Sequence, residues 1–261
     1  MNYGLWISAS GLGTSIYRME VAANNLANVE SVGFKADYAA AKQRDAARVE
    51  DGLSLPSNKM LEKLGAGALL APNRPTTAQG QLERTGRPLD VGINGAGYLV
   101  VKTGASNRPS DLRLTRDGRM TLDSSGRLMH TASGKPVLDV DGQEIRMSGA
   151  GRVTIQPDGT IQQGTGIVAK LAFVTAGDPM NFRKSGTGLM QAPDGQILRR
   201  QSAAGAGSVI EQGSVEKSTV DPVRTMLEIT SSERSIAYGT KIIQTIDESM
   251  QRAIGTFGRV A

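Results

Sequence analysis

Side chains able to do chemistry are sparse in this chain, and their spacing argues for turns. Gly92, Gly95 and Gly97 follow a short strand pattern with the spacing GxxGxG. This is not the GxGxxG that sets a pyrophosphate against a helix N-terminus, and no amphipathic helix opens after it. Glycines so placed serve turns and close strand contact. Asp139 and Asp141 precede Gly142 as a close carboxylate pair, but the remaining oxygen ligands of a calcium loop and its terminal Glu are missing, so a turn between strands is expected. The single histidine, His130, lies near hydroxyls including Ser133, yet a triad also needs an activated nucleophile and an orienting acid. Cysteine is absent, which removes thiolate nucleophiles, disulfides and sulfur-ligated metals together. No catalytic residue, metal ligand or cofactor site is expected.

Composition narrows the field further. The aromatic share is 4%, with one Trp and four Phe, which argues for an aliphatic core and against a base-stacking surface. The formal net charge is +5, but Lys and Arg are spread thin with no run of five, so nucleic acid is not expected as a partner. Thirty-two glycines among 261 residues imply many turns. No apolar run reaches the roughly 18 residues that a membrane-spanning helix needs. The first ten residues carry neither a basic region nor an unbroken apolar stretch, so a cleaved secretory leader is not expected.

The elements that would position any site differ between the ends and the middle. Leu5, Ala9, Leu12, Ile16, Met19, Ala23 and Leu26 step by 4 and 3 in alternation, a seam sustained for three heptads. Asn24, Asn25 and Asn28, with Gly33 beyond, predict that this helix stops near Asn28. Ile229, Ser232, Ile236, Gly239, Ile243, Ile246, Met250 and Ala253 repeat the pattern near the other end. That second helix has Ser218 or Thr219 as candidate caps and Asp221-Pro222 in its first turn.

Between the seams, residues 36–84 show no sustained period and read as an extended connector. From Thr85 onward the period becomes 2. Val91, Ile93 and Tyr98 to Val101 read as strand, and Leu112 to Arg116 and Met120 to Leu122 flank Asp117-Gly118 as a hairpin. Val153 to Gln156 and Thr160 to Gln162 flank Pro157-Asp158-Gly159 as another, Ile167 to Thr175 reads as one strand, and Ser125-Gly126 and Asp141-Gly142 supply further turns. The expected fold class is α+β: long N- and C-terminal helices forming a coiled-coil-like assembly region, with a central all-β antiparallel domain. The boundaries are 1–35 for the N-terminal helix, 36–84 for the connector, 85–207 for the β domain and 208–261 for the C-terminal helix.

The first helix has too few large apolar residues on its stripe to repay the entropy of ordering it alone. Trp6, Val21, Leu227 and Ile242 also lie outside either seam. Periodicity leaves two arrangements open: packing within a monomer, or packing against further copies.

Residue identity adds a resemblance. Ser8-Ala9-Ser10-Gly11-Leu12, Ala23-Asn24-Asn25-Leu26-Ala27-Asn28-Val29 and Gly33-Phe34-Lys35 resemble the N-terminal pattern of bacterial flagellar rod and hook proteins. The C-terminal pattern is matched by Val220-Asp221-Pro222-Val223, Met226, Ile229, Glu233-Arg234, Lys241 to Thr245 and Asp247. In the middle, Asp90 to Tyr98, Thr115-Arg116-Asp117-Gly118 and Val153 to Gly159 extend it over nearly the whole chain. The chain departs from the family pattern at Ile236, where an aromatic usually stands two residues after the arginine; Tyr238 is displaced by two.

The resemblance implies a non-enzymatic subunit of the basal-body rod, which spans the periplasm. Terminal helices would form the inner layer of a tubular assembly, and the chain would leave through the flagellar type III export apparatus without a cleaved leader. Its partners would be further copies of itself and other axial subunits. The length, together with Val137-Leu138-Asp139 and residues 172–186, looks most like the proximal rod, with the distal rod or hook as the alternative. A secreted carbohydrate-binding or carbohydrate-cleaving β domain is a more remote reading, poorly supported by so few aromatics. The expected assembly residues are Leu5, Leu12, Ile16, Met19, Leu26, Ile229, Ile236, Ile243, Ile246 and Met250, with Asn24, Asn25 and Asn28 ending the first helix.

Overall fold

The computed structural model describes residues 3–45, 67–104, 108–148, 151–175, 182–193 and 200–257. Residues 46–66 of the expected connector and 176–181 of the stretch 172–186 lie outside them. The chain divides into a helical unit, residues 1–27, 37–74 and 221–261, and a β unit, residues 28–36 and 75–220.

The helical unit holds α1 (Tyr3–Ala27), β1 (Asp37–Gln43), β2 (Ala68–Pro75) and α2 (Pro222–Phe257). At 25 and 36 residues the helices are about 37 and 54 Å long. They pack on each other, α1 also packs on β1, and β1 pairs with β2. The segment read as a connector therefore contains paired strands, which Tyr17 of α1 helps to seat by meeting the Asn73 side chain and the Ala71 carbonyl. No apolar alternation marks these strands in the sequence, because β1 and β2 bury little.

Asp221 caps α2. Its Oδ1 accepts the N–H groups of Val223 at 3.0 Å and Arg224 at 3.1 Å, with Pro222 in the first helical position. Neither Ser218 nor Thr219 takes that role: the Ser218 hydroxyl accepts from Val220 N–H, and the Thr219 hydroxyl accepts from Ala36 N–H.

The β unit contains β3 (Leu82–Arg84), β4 (Val91–Gly95), β5 (Gly97–Lys102), β6 (Leu112–Thr115), β7 (Met120–Leu122), β8 (Leu128–His130) and β9 (Lys135–Pro136). These are followed by β10 (Val153–Ile155), β11 (Thr160–Gln163), β12 (Gly166–Lys170), β13 (Phe173–Thr175), β14 (Arg183–Lys184), β15 (Leu189–Gln191), β16 (Ser208–Gln212) and β17 (Ser214–Glu216). The largest sheet runs β13-β5-β6-β15-β14; β10-β11-β12 and β7-β8-β9 are three-stranded, and β16-β4 and β17-β3 are pairs. Every registered pair in the unit is antiparallel.

Strand β5 explains how one short segment organises the unit. Its alternate side chains enter two cores, Leu99 and Val101 with Ile93, Leu128 and Phe173 on one side, and Tyr98 and Val100 with Leu114, Leu138 and Phe182 on the other. Both of its faces are buried, hence the unbroken apolar run.

Two expected connections differ. Asp117-Gly118 is no hairpin: β6 pairs with β5 and β15, whereas β7 pairs with β8, so the dipeptide carries the chain from one sheet to another. The backbone there lies so close to β4 that a Cβ on Gly118 would sit 1.8 Å from the Val91 carbonyl oxygen, and Val91 N–H donates to Gly118 at 3.0 Å. The expected strand over residues 167–175 breaks after Lys170, where Leu171 N–H turns to Gly159 and Ala172 N–H to Leu138. By contrast, Pro157-Asp158-Gly159 joins β10 to β11 and Ser125-Gly126 joins β7 to β8, as the spacing predicts.

Candidate assembly surface and buried ion cluster

On α2, the expected stripe is the covered face. Ser232 is buried, Ile229, Ile236, Gly239, Ile243 and Ile246 are half-buried, and the other residues from Leu227 to Gly255 are exposed; of the stripe, Met250 is at the margin and Ala253 is exposed. The covering partner within the chain is α1. A Cβ on Gly239 would meet Leu12 Cδ1 at 3.3 Å, so the absence of a side chain there lets the two helices approach.

On α1, the covered positions are rotated from the expected stripe. Leu5, Leu12, Met19 and Leu26 are half-buried, whereas Ala9, Ile16, Ala23 and Asn24 are exposed. Thr14, Val21, Ala22 and Asn25 are buried instead, so Val21 does not belong to an outer surface. The reason is that α1 has two neighbours, α2 and the β1-β2 pair, and small or hydrogen-bonding residues suit the second. Ser10 Oγ accepts Ala68 N–H at 3.3 Å, and Asn25 grips β1 by donating to the Asp37 carbonyl at 2.8 Å and accepting Asp37 N–H at 2.9 Å. Asn25 is therefore a strand clamp. Asn28 lies just past the helix end, where its side chain accepts from the Ser31 hydroxyl.

The uncovered surface of α2 carries large apolar side chains among charged ones such as Arg224, Glu228, Arg234 and Lys241. Val223, Met226, Leu227, Tyr238, Ile242 and Ile254 are all half or more exposed, Tyr238 at 69% and Ile254 at 72%; Trp6 of α1 is 53% exposed. The hydroxyls of Thr225, Thr230, Ser235, Thr240, Thr245 and Ser249 each donate to the carbonyl four residues earlier, so these six donors are already satisfied. Covering this face would bury apolar surface without stranding those donors.

In the β unit, a cluster of charges absent from the sequence-based site sits in the interior. Glu216, at 0% exposure, accepts from Lys35 Nζ at 2.6 Å and Gly80 N–H at 2.7 Å on Oε1, and from Arg116 at 3.2 Å on Oε2. Lys35 also donates to the Ala78 carbonyl at 2.6 Å, and Arg116 to the Gly95 carbonyl at 2.6 Å while its guanidinium stacks over Tyr98. Burial pushes the Lys35 ammonium down from its ordinary value against the pull of Glu216, and it pushes the Tyr98 phenol up. Gly33 holds a left-handed turn at φ 67°, and a Cβ there would lie 2.5 Å from the Arg116 carbonyl carbon. Lys35 and Arg116 belong to the motifs quoted above, but nothing in the sequence flags Glu216, a charge between Val215 and Lys217 in a short strand.

Beside it, Asp117 binds Arg119 through both oxygens and faces His130, whose Nδ1 lies 2.7 Å from Ser133 Oγ and Nε2 3.4 Å from Asp117 Oδ2. By distance this is a Ser-His-Asp row. Its imidazole is 1% exposed and its carboxylate is tied up by Arg119, so a substrate carbonyl has no approach to the base. Burial would raise the Asp117 carboxyl, but the neighbouring His130 imidazole and the hydrogen bonds from Arg119 outweigh it and hold it below its ordinary value. Gly97 N–H donates to Ser208 Oγ at 2.7 Å, so that glycine motif serves strand contact. Asp139 Oδ1 accepts Asp141 and Gln143 N–H in a turn.

Known proteins resemble this chain in sequence. Residues 92–163 match the family described as flagellar hook protein FlgE/F/G D1 domain, and residues 211–256 match the flagellar basal body rod FlgEFG protein C-terminal family. The chain is 28% identical to the flagellar basal-body rod protein FlgF of Caulobacter vibrioides over 100% of both chains. It is also 28% identical to FlgF of Escherichia coli over 97% of each. With the flagellar basal-body rod protein FlgG of Buchnera aphidicola subsp. Schizaphis graminum it shares 30% identity over 95% of this chain and 97% of that one. These likenesses define the class as flagellar axial proteins. Within it, the chain belongs to the flagellar basal-body rod protein family and is a structural subunit of that rod.

Proposed function

We propose that the subunit polymerises through its two terminal helices, in the proximal segment of the rod, and that it does no chemistry there. The observation that carries this reading is the exposed apolar surface of α2: a long helix, covered on one stripe within the chain, presents Val223, Met226, Leu227, Tyr238 and Ile242 away from that stripe, and its far end leaves Ile254 exposed as well. Isolated exposed apolar residues are ordinary, but a run of them along one rod-like element marks an interaction surface. The stripe residues Leu5, Leu12, Ile16, Met19, Leu26, Ile229, Ile236, Ile243, Ile246 and Met250 belong to the same reading, Ile16 and Met250 as direct contacts and the others by holding α1 and α2 in register. A contact between unlike patches that does not close would propagate as a helix.

The proximal position is supported by the full-length likeness to relatives named FlgF. Export through the type III apparatus rests on the family resemblance, and no described helix is long and apolar enough to cross a membrane. Leu227→Asp tests the reading, because that side chain is 66% exposed and its loss leaves the chain's own packing intact. The expected result is a folded protein, by circular dichroism, that is missing from isolated basal bodies. Normal incorporation would overturn the role of this face. A tag read by cryo-electron tomography would separately place the subunit nearer to or farther from the cell interior.

A further inference from the structure

The chain enters the β unit at residue 28, leaves after 36, returns at 75 and leaves again after 220. We propose that the Glu216 carboxylate and its two cations form a clasp that gathers all of these entry and exit segments, so that they hold or release as one. The segments are remote in sequence, Lys35 and Glu216 being 181 residues apart, yet all close on one another. Gly33 N–H donates to the Glu216 carbonyl at 2.7 Å, Thr219 N–H to Phe34 at 3.0 Å and Thr76 N–H to Ala36 at 2.8 Å. Ala36 N–H donates to Thr219 Oγ1 at 2.9 Å, and Lys217 N–H to Gln81 at 2.8 Å. Lys184 adds a cap, donating to the Lys35 carbonyl at 2.6 Å while its ammonium sits 3.9 Å from the Phe34 ring centre.

Each of these backbone bonds is a single rung that could fray by itself. What joins them is the carboxylate: Lys35 ties the first segment to it, the Lys35–Ala78 bond and Gly80 tie the second, Arg116 ties it to β6, and Glu216 itself is the third. Two cations share one anion in the interior, so removing the anion leaves both without compensation. Low local dielectric makes such a network respond as a unit. The clasp lies wholly inside the β unit and stands whether or not the chain polymerises.

Native-state hydrogen exchange on the full chain tests it, read at the amides of Gly33, Ala36, Thr76, Gly80, Lys217 and Thr219. In Glu216→Gln these amides are expected to speed up together, by about 100-fold or more, while those of Val100 and Leu114 in the five-stranded sheet keep their protection. Acceleration confined to Gly80, or no acceleration, overturns the proposal. Should Glu216→Gln fail to fold, Lys35→Met decides, since it leaves Glu216 compensated by Arg116. The same six amides should then speed up together by roughly 10-fold, and release limited to residues 78–80 overturns it. Val100→Ala is the control: a core cavity that weakens the sheet must not single out these six.

Discussion

Asn25 shows how a residue type can be read correctly as polar punctuation and still be assigned the wrong work. Three asparagines near a helix end suggest termination; α1 does end at Ala27, yet Asn25 is buried and spends both ends of its amide on the backbone of Asp37. That partner comes from beyond the turn, so the sequence carries no trace of it. Asn25→Ala removes both hydrogen bonds to the Asp37 backbone and is expected to destabilise the helical unit by about 1–3 kcal/mol, measured by denaturant unfolding. Asp158 belongs to the same scale. Hydrogen bonds from Lys170 and from Thr160 draw its carboxyl down to about 2, below the ordinary value of 3.8. A carboxyl depressed on folding contributes stability that is complete above its unfolded value and is lost as pH falls toward its folded one. The melting temperature should therefore fall between about pH 4 and pH 2, and Asp158→Asn should flatten that part of the profile.

At the scale of elements, periodicity was informative where an element has one neighbour and misleading where it has two. The α2 stripe is legible because α1 is its main cover, so from Ile229 to Ile246 the steps of 3 and 4 map onto buried and half-buried residues. The α1 stripe is only partly so, because Ser10 and Asn25 hydrogen-bond β2 and β1, polar contacts that a hydrophobic count ignores. Asp117-Gly118 fails for a related reason: the dipeptide has turn chemistry, but β6 pairs back with β5 and β7 forward with β8, so the flanking strands do not pair with each other. Two substitutions probe α2. Asp221→Ala removes the acceptor for two N–H groups and should cost about 1 kcal/mol. Gly239→Leu forces a side chain against Leu12 and should separate the helices at a cost of roughly 1–3 kcal/mol, read as a lowered melting temperature of the helical unit.

Across the whole molecule, the α+β class, both helices and the β-rich middle were legible from composition and period, and the family from quoted motifs. The interior charges were not. Lys35, Arg116 and Glu216 look like any surface cations and acid in a chain of +5, and only the closing of segments 181 residues apart makes them interior. That closing also has a mechanical side. A pull applied between the two long helices enters the β unit before Phe34 and leaves it after Thr219, and those two residues share a rung at 3.0 Å. Tension along the chain would cross that short bridge and bypass the strands beyond, leaving the rest of the β unit unstretched.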